Sequence, residues 1–227
     1  MRSIVVLALT LTLCSSALAI ENKEKVCVKV PSIIVLDGDL SEWGKAVAID
    51  LEKEGKINLQ RKDVNDISAV AYTMWDEKNF YLAIVVTDDI HMNASQDSNI
   101  WNGDSIQFAL DPSPEDRNDI FNDYEMGMAL TPKGPCVWRW APTSEAVKSA
   151  ELFVERKENK TIYELKLPFA EIGFVPAKGK SLGFTFTLNE SDDAAKGFRG
   201  WIEWTPGICG YKDSMFWGKL TLEDKKN

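Results

Sequence analysis

The chain has 227 residues, of which 35 are Asp or Glu and 26 Lys or Arg, giving a formal net charge of −9 at pH 7. No Lys/Arg cluster interrupts this acidic balance, which argues against nucleic acid and anionic membranes, since both require a positive footprint. The length suits one domain that buries a substantial core without staples.

The first 19 residues place Arg2 ahead of an apolar run from Ile4 to Leu13 and end in Ala17, Leu18 and Ala19, the layout of a secretory signal cleaved near Ala19. This predicts a secreted, periplasmic or cell-surface protein in which residues 20–227 form a single domain. A lipoprotein anchored through Cys14 is the alternative; Leu13 stands where a small residue is expected before such a cysteine. No later apolar run is long enough to span a bilayer.

Val26 to Val30 and Ile33 to Leu36, separated by Pro31 and Ser32, read as an edge strand and its continuation, with the proline suited to an edge. The stretch from Asp37 to Trp43 is a turn signal followed by a short helical turn. Ala46 to Leu51 can form a strand, and residues 52–66, charged and poor in large apolar groups, read as a surface loop. Ile67 to Trp75 and Asn79 to Thr87 form a hairpin candidate, the second strand apolar at nearly every position and hence central, covered on both faces. Ser105 to Leu110 alternates, with Ile106, Phe108 and Leu110 on one face and Ser105, Gln107 and Ala109 on the other, which is expected to be free.

Between these strands lie Asp88, Asp89, Asp97 and Asp104 with Asn93, Asn99 and Asn102, chemistry suited to turns, sugar hydroxyls or a hard cation. The polar segment 113–123 reads as an excursion. Strands follow at 124–130, 136–140, 150–157 and 161–167, then a helical turn from Pro168 to Gly173. Within 136–140, Trp138 and Trp140 share one face and Arg139 takes the other. Ser181 to Asn189 sends Leu182, Phe184, Phe186 and Leu188 inward and Gly183, Thr185, Thr187 and Asn189 outward, a polar face with room for a ligand. Strands at 201–204 and 216–222 close the chain. Many short strands with Gly, Pro, Asn and Asp turns predict an all-β fold, an antiparallel two-sheet β-sandwich of immunoglobulin or jelly-roll type.

Once the first 19 residues are removed, Cys27, Cys136 and Cys209 remain, enough for one disulfide of unspecified pairing. Asn93, Asn159 and Asn189 open glycosylation sequons that matter only in a eukaryotic source. Of the eight tryptophans, Trp43, Trp75 and Trp217 adjoin apolar patterns and read as core. Trp101 lies instead among Asn99, Asn102, Gly103 and Asp104, and Tyr211 lies in a polar, glycine-rich loop. An aromatic face flanked by amides and a carboxylate suits a pyranose ring, whose faces are apolar and whose edges need placed polar partners. No nucleophile has a histidine partner beyond the lone His91, and no phosphate loop is present, so a non-catalytic role is expected.

Several pieces of the chain resemble carbohydrate-binding module family 9 and the wider DOMON-like sandwiches. They are Leu36 to Trp43, Trp75 to Leu82 with Val86 to Asp89, Trp101 to Phe108 ending in Asp111 and Pro112, Tyr163 to Pro168 with Gly173, and Phe216 to Leu220, in the family's order. The resemblance implies structural calcium and a slot in which two aromatic residues sandwich a sugar ring. Trp101 matches the first aromatic and Gln107 its hydrogen-bonding neighbour. Tyr211 matches the second aromatic, where a tryptophan is more usual. Asn189 and Thr187, with Arg139 as a further contributor, are expected to complete the slot. For calcium, the acidic turns Asp37/Asp39 and Asp88/Asp89 are the candidates. The expected partner is a poly- or oligosaccharide, with a separate glycoside hydrolase as a companion in polysaccharide degradation. DOMON-like relatives that bind haem through methionine with histidine or lysine supply the alternative, for which His91 beside Met92 is the candidate.

Overall fold

The computed structural model describes residues 23–31, 33–114 and 123–224; the expected signal segment lies outside them, as does most of the 113–123 excursion. Among the described residues fourteen strands form: β1 (Glu24–Lys29), β2 (Val47–Asp50), β3 (Lys56–Asn58), β4 (Ile67–Trp75), β5 (Asn79–Asp88), β6 (Ser105–Asp111) and β7 (Tyr124–Thr131) in the first part. They are followed by β8 (Gly134–Ala141), β9 (Glu145–Ala146), β10 (Glu151–Lys157), β11 (Lys160–Pro168), β12 (Ser181–Glu190), β13 (Gly200–Glu203) and β14 (Gly218–Glu223).

The strands pair in the order β10-β11-β5-β4-β1-β14-β12-β6-β7-β8-β9, with β2 on β4, and β13 on β12 carrying β3 beyond it. This sheet curls on itself until Phe80 of β5 meets Phe184 of β12 across the interior, ring centroids 5.9 Å apart, so the result is sandwich-like. β1 closes the curl, pairing parallel with both β14 and β4. The core between the layers takes the inward residues of the alternating strands: Ile106, Phe108 and Leu110 from β6, Leu182, Phe184, Phe186 and Leu188 from β12, and Tyr163, Leu165 and Leu167 from β11.

β5 is apolar on both sides because it is covered on both sides. Phe80, Leu82, Ile84 and Val86 face the main core, while Tyr81 and Ala83 belong to a second cluster with Ile34, Trp43, Ala46 and Met74. β1, expected at an edge, is instead paired on both sides, and residues 33–36 do not continue it as expected. They lie over β4 and β5 with Ile34 buried and Ile33 and Val35 exposed, since Pro31 offers no ladder donor. Glu164 fastens this cover: fully buried on β11, it accepts from Trp43 Nε1 at 2.9 Å and from the Gly38 and Asp37 amides at 2.7 and 3.0 Å.

Two further differences have local causes. Residues 52–66 contain a helical turn, α1 (Leu51–Glu54), capped by Asp50, and the short β3 that pairs only with β13, too brief to carry a periodic signal. Trp217 is half-buried at the sheet margin, with Nε1 donating to the Gly207 carbonyl at 3.2 Å. Trp43 and Trp75 are core, as expected. All three described cysteines are free thiols.

Candidate functional site

The polar faces of β12 and β6, expected to be open, are covered. Thr187, Asn189, Ser105 and Gln107 stand side by side in the ladder, and the loop between β13 and β14 lies across them. Thr185 Oγ1 donates to the Thr205 carbonyl at 2.8 Å, and the Cys209 thiol reaches Gln107 Oε1 at 3.5 Å and Thr187 Oγ1 at 3.7 Å. Asn189 Nδ2 donates to Gln107 Oε1 at 3.0 Å and Ser105 Oγ at 3.1 Å. Thr187 and Asn189 are consequently buried to the last atom. They form a floor beneath the loop rather than a surface for a ligand.

Beside this loop is a cleft of about 570 Å³, with Trp101, Trp140, Phe198 and Trp201 in its walls and Gln107, Glu125, Cys209 and Lys212 among its polar lining. Trp101 comes from a 3₁₀ turn, Asp97–Asn102, held in place when Trp140 Nε1 donates to the Ser98 carbonyl at 2.8 Å. The Trp140 ring can reach over β7 because Gly127 has no side chain there: a Cβ would stand 2.5 Å from the ring. Trp101 stays 41 % exposed and meets Phe198 edge-on at 5.9 Å, and Phe198 stacks on Trp201 at 6.1 Å and 13°. The polar side is a chain: Gln107 Nε2 donates to Glu125 Oε1 at 3.1 Å, and Lys212 pairs with the same oxygen.

Trp101 and Gln107 thus share one cleft. Tyr211 adjoins it through Gly210 and Lys212, while its own ring packs edge-on against Phe216 at 5.4 Å and is 49 % exposed. Arg139 does not share it: its guanidinium bonds Glu145 and, at 3.2 Å, Glu171, on the face of β8 opposite Trp140. The residues missed from sequence are Phe198, Trp201, Glu125 and Lys212. Trp140 carried a signal, its alternation with Arg139, but no pattern shows that Gly127 admits its ring.

Behind Trp101 lies a buried acidic cluster. Asp104, three residues on, accepts from the Ser191 amide at 2.7 Å and from the Met92 amide. Burial first, and then the Asp88 charge, push its carboxyl up to about 8. Burial likewise, aided by Asp104 and Asp88, pushes Glu190 up to about 9. Asp66, Glu190 and Asp192 bring a carboxylate oxygen each within 4.8 Å of one another, and Asp88, Asp89 and Asp192 do the same. Asp66 Oδ1, Glu190 Oε2 and Asp192 Oδ1 are buried without any hydrogen-bond partner. Orphaned, all-oxygen donors of this kind fit a hard divalent cation such as calcium. Asp88 and Asp89 fall in this cluster. Asp37 and Asp39 instead accept from the Asp39 and Ser41 amides in a turn and cap. His91 turns its Nε2 to the Leu130 carbonyl at 3.1 Å and Nδ1 toward Asp104 at 3.5 Å.

Among the described residues no helix is long and apolar enough to cross a membrane. A family model described as carbohydrate family 9 binding domain-like matches residues 36–225. Among curated proteins none matches in a sequence search. Two similar solved structures are of a carbohydrate binding module family 9 from Caldicellulosiruptor kristjanssonii. The complex with glucose superposes with a TM-score of 0.71 at 16 % identity, covering 90 % of this chain and 98 % of that one. The complex with cellotriose gives 0.70 at 16 %, covering 90 % and 96 %.

Proposed function

The chain belongs to the carbohydrate family 9 binding domain-like family, and on that premise we propose that it is a non-catalytic module that binds a saccharide in the cleft beside Trp101. The observation that carries this reading is the joining of exposed aromatic surface to a charged, hydrogen-bonded edge. Trp101, Phe198 and Trp201 offer ring faces, and Glu125, Lys212 and the second N–H of Gln107 line the same cleft. Sugar rings present apolar C–H faces and hydroxyl rims, so such a cleft matches both at once.

In this reading Trp101 stacks on the ring and Glu125 accepts from hydroxyls, while Lys212 and Gln107 donate to them. Asn189 and Thr187 act from beneath, by fixing Gln107. Tyr211 is the second aromatic if it swings from Phe216 over the cleft; Trp201 is the aromatic already there. Calcium belongs at Asp66, Glu190 and Asp192, where it satisfies the orphaned oxygens and supplies structural charge neutralisation. Residues 1–19 direct export, and the module assists a separate glycoside hydrolase by holding polysaccharide.

Tryptophan fluorescence during titration with glucose, cellobiose and cellotriose tests the binding reading. A saturable change that Trp101→Ala removes is expected. No change with any saccharide, confirmed by calorimetry, would overturn it.

A further inference from the structure

Three carboxylates of the acidic cluster share one arrangement. Asp66, Glu190 and Asp192 each turn one oxygen toward the Arg199 guanidinium, at 3.7 Å for Asp66 and 3.1 Å for Glu190. Each leaves its other oxygen buried and without a partner. A cation taken up by the orphaned oxygens therefore need not displace Arg199; it fixes the same three groups from their opposite lone pairs.

Arg199 is built into the connection between β12 and β13. Its amide donates to the Glu190 carbonyl at 2.7 Å, and Nη2 donates to the Gln60 carbonyl at 3.0 Å. Phe198, the preceding residue, donates its amide to Asn102 Oδ1 at 3.3 Å and places its ring between Trp101 and Trp201. Ser191 Oγ ties the same connection down at the Gly197 carbonyl, 2.9 Å away. One short stretch of chain thus carries the arginine of the acidic cluster and an aromatic wall of the cleft.

We propose that Arg199 is a positioning residue of the cleft, through which a divalent cation held by Asp66, Glu190 and Asp192 sets saccharide affinity. Without the cation, Arg199 alone joins the three groups, each by one oxygen. With it, Arg199 is clamped, and Phe198 and Trp201 are fixed for stacking. The inference rests on the saccharide reading of the cleft. Cation and saccharide then bind cooperatively, and linkage requires that each raise the other's affinity by the same factor.

The test uses the full chain, with calcium chloride and cellotriose as probes. Calorimetry gives cellotriose affinity in EDTA and in saturating calcium, and calcium affinity with and without cellotriose. At least about fivefold coupling, equal in both directions, is expected for the natural protein. In Arg199→Gln both ligands still bind but the coupling factor falls to about one; in Arg199→Lys, which keeps the charge and serves as the folding control, part of it returns. Binding of both ligands with no coupling in the natural protein, or full coupling retained in Arg199→Gln, would overturn the inference and leave the saccharide reading standing. No cellotriose binding in either state would overturn both. Cellotriose binding without any calcium binding would overturn this inference and the cation site alone.

Discussion

Replacing Trp101 with alanine tests how much of the cleft's affinity comes from one ring. The side chain retains 41 % of its surface, which for a group of roughly 250 Å² leaves about 100 Å² for a ligand to cover. If a sugar ring covers between half and all of this, at about 25 cal/mol per Å² the loss is roughly 1.3–2.5 kcal/mol. That corresponds to about a 10- to 60-fold rise in Kd. The fold itself should change little, because the edge contact with Phe198 is worth only about 1 kcal/mol. Calorimetry with cellotriose, beside a thermal melt, reads both quantities. A rise in Kd below about twofold, or a variant that no longer folds, would refute the reasoning: the first removes stacking from the mechanism, the second makes Trp101 part of the core.

Glu164→Ala strands three donors, Trp43 Nε1 and the amides of Asp37 and Gly38, at a cost of about 3 kcal/mol; melting should fall by roughly 6–12 °C with cellotriose affinity unchanged. Arg139→Ala breaks its links to Glu145 and Glu171 on the other face of β8, so cellotriose titration should give a Kd within about twofold of the natural protein. Calcium at 100 times its Kd should stabilise by about 2.7 kcal/mol, seen as a melting point roughly 5–10 °C above that in EDTA. The carboxyls of Asp104 and Glu190 are held above their ordinary values, at about 8 and about 9. Their protonated forms therefore favour the folded state, and stability in EDTA should fall as pH rises from about 4 through 9. Melts at pH 5, 7 and 9 check this, and calcium should flatten the slope by taking the place of the protons.

The architecture was legible wherever one strand face met the core. β4 to β8 and β10 to β12 follow period-2 alternation or continuous apolar runs, and the structure places them within about two residues of the expected spans. The segment 33–36 misled because an apolar cover lying across a sheet has the composition of a strand. The polar face of β12 misled for a different reason: small hydroxyl and amide groups suit a ligand surface and a hydrogen-bonded floor under a loop equally well. Trp101 and Gln107 could be paired through the family resemblance, which sets a hydrogen-bonding residue six positions after the first aromatic. Phe198 and Trp201 could not, since they reach the cleft from the β12–β13 connection and from β13 itself, where Arg199 meets carboxylates drawn from β12, from that connection and from a loop distant in sequence.

The parallel seat of β1 between β14 and β4 has a consequence for how the molecule is made. Glu24 pairs with Lys219 and Val28 with Glu223, so the seam that closes the curled sheet joins segments nearly a full chain length apart. During synthesis the first strand emerges long before its neighbour exists, and β4 alone offers it only Met74 and Trp75 as ladder partners, for Val28 and Lys29. The layers built from β4 to β12 can assemble while translation continues, but the seam waits for residues 218–223. Closure of such a long loop is entropically costly and makes slow, late docking of both ends the rate-setting event. Chains stopped short of the last strand should accordingly present an open β1 edge, the kind of surface that chaperones bind and that pairs with other chains.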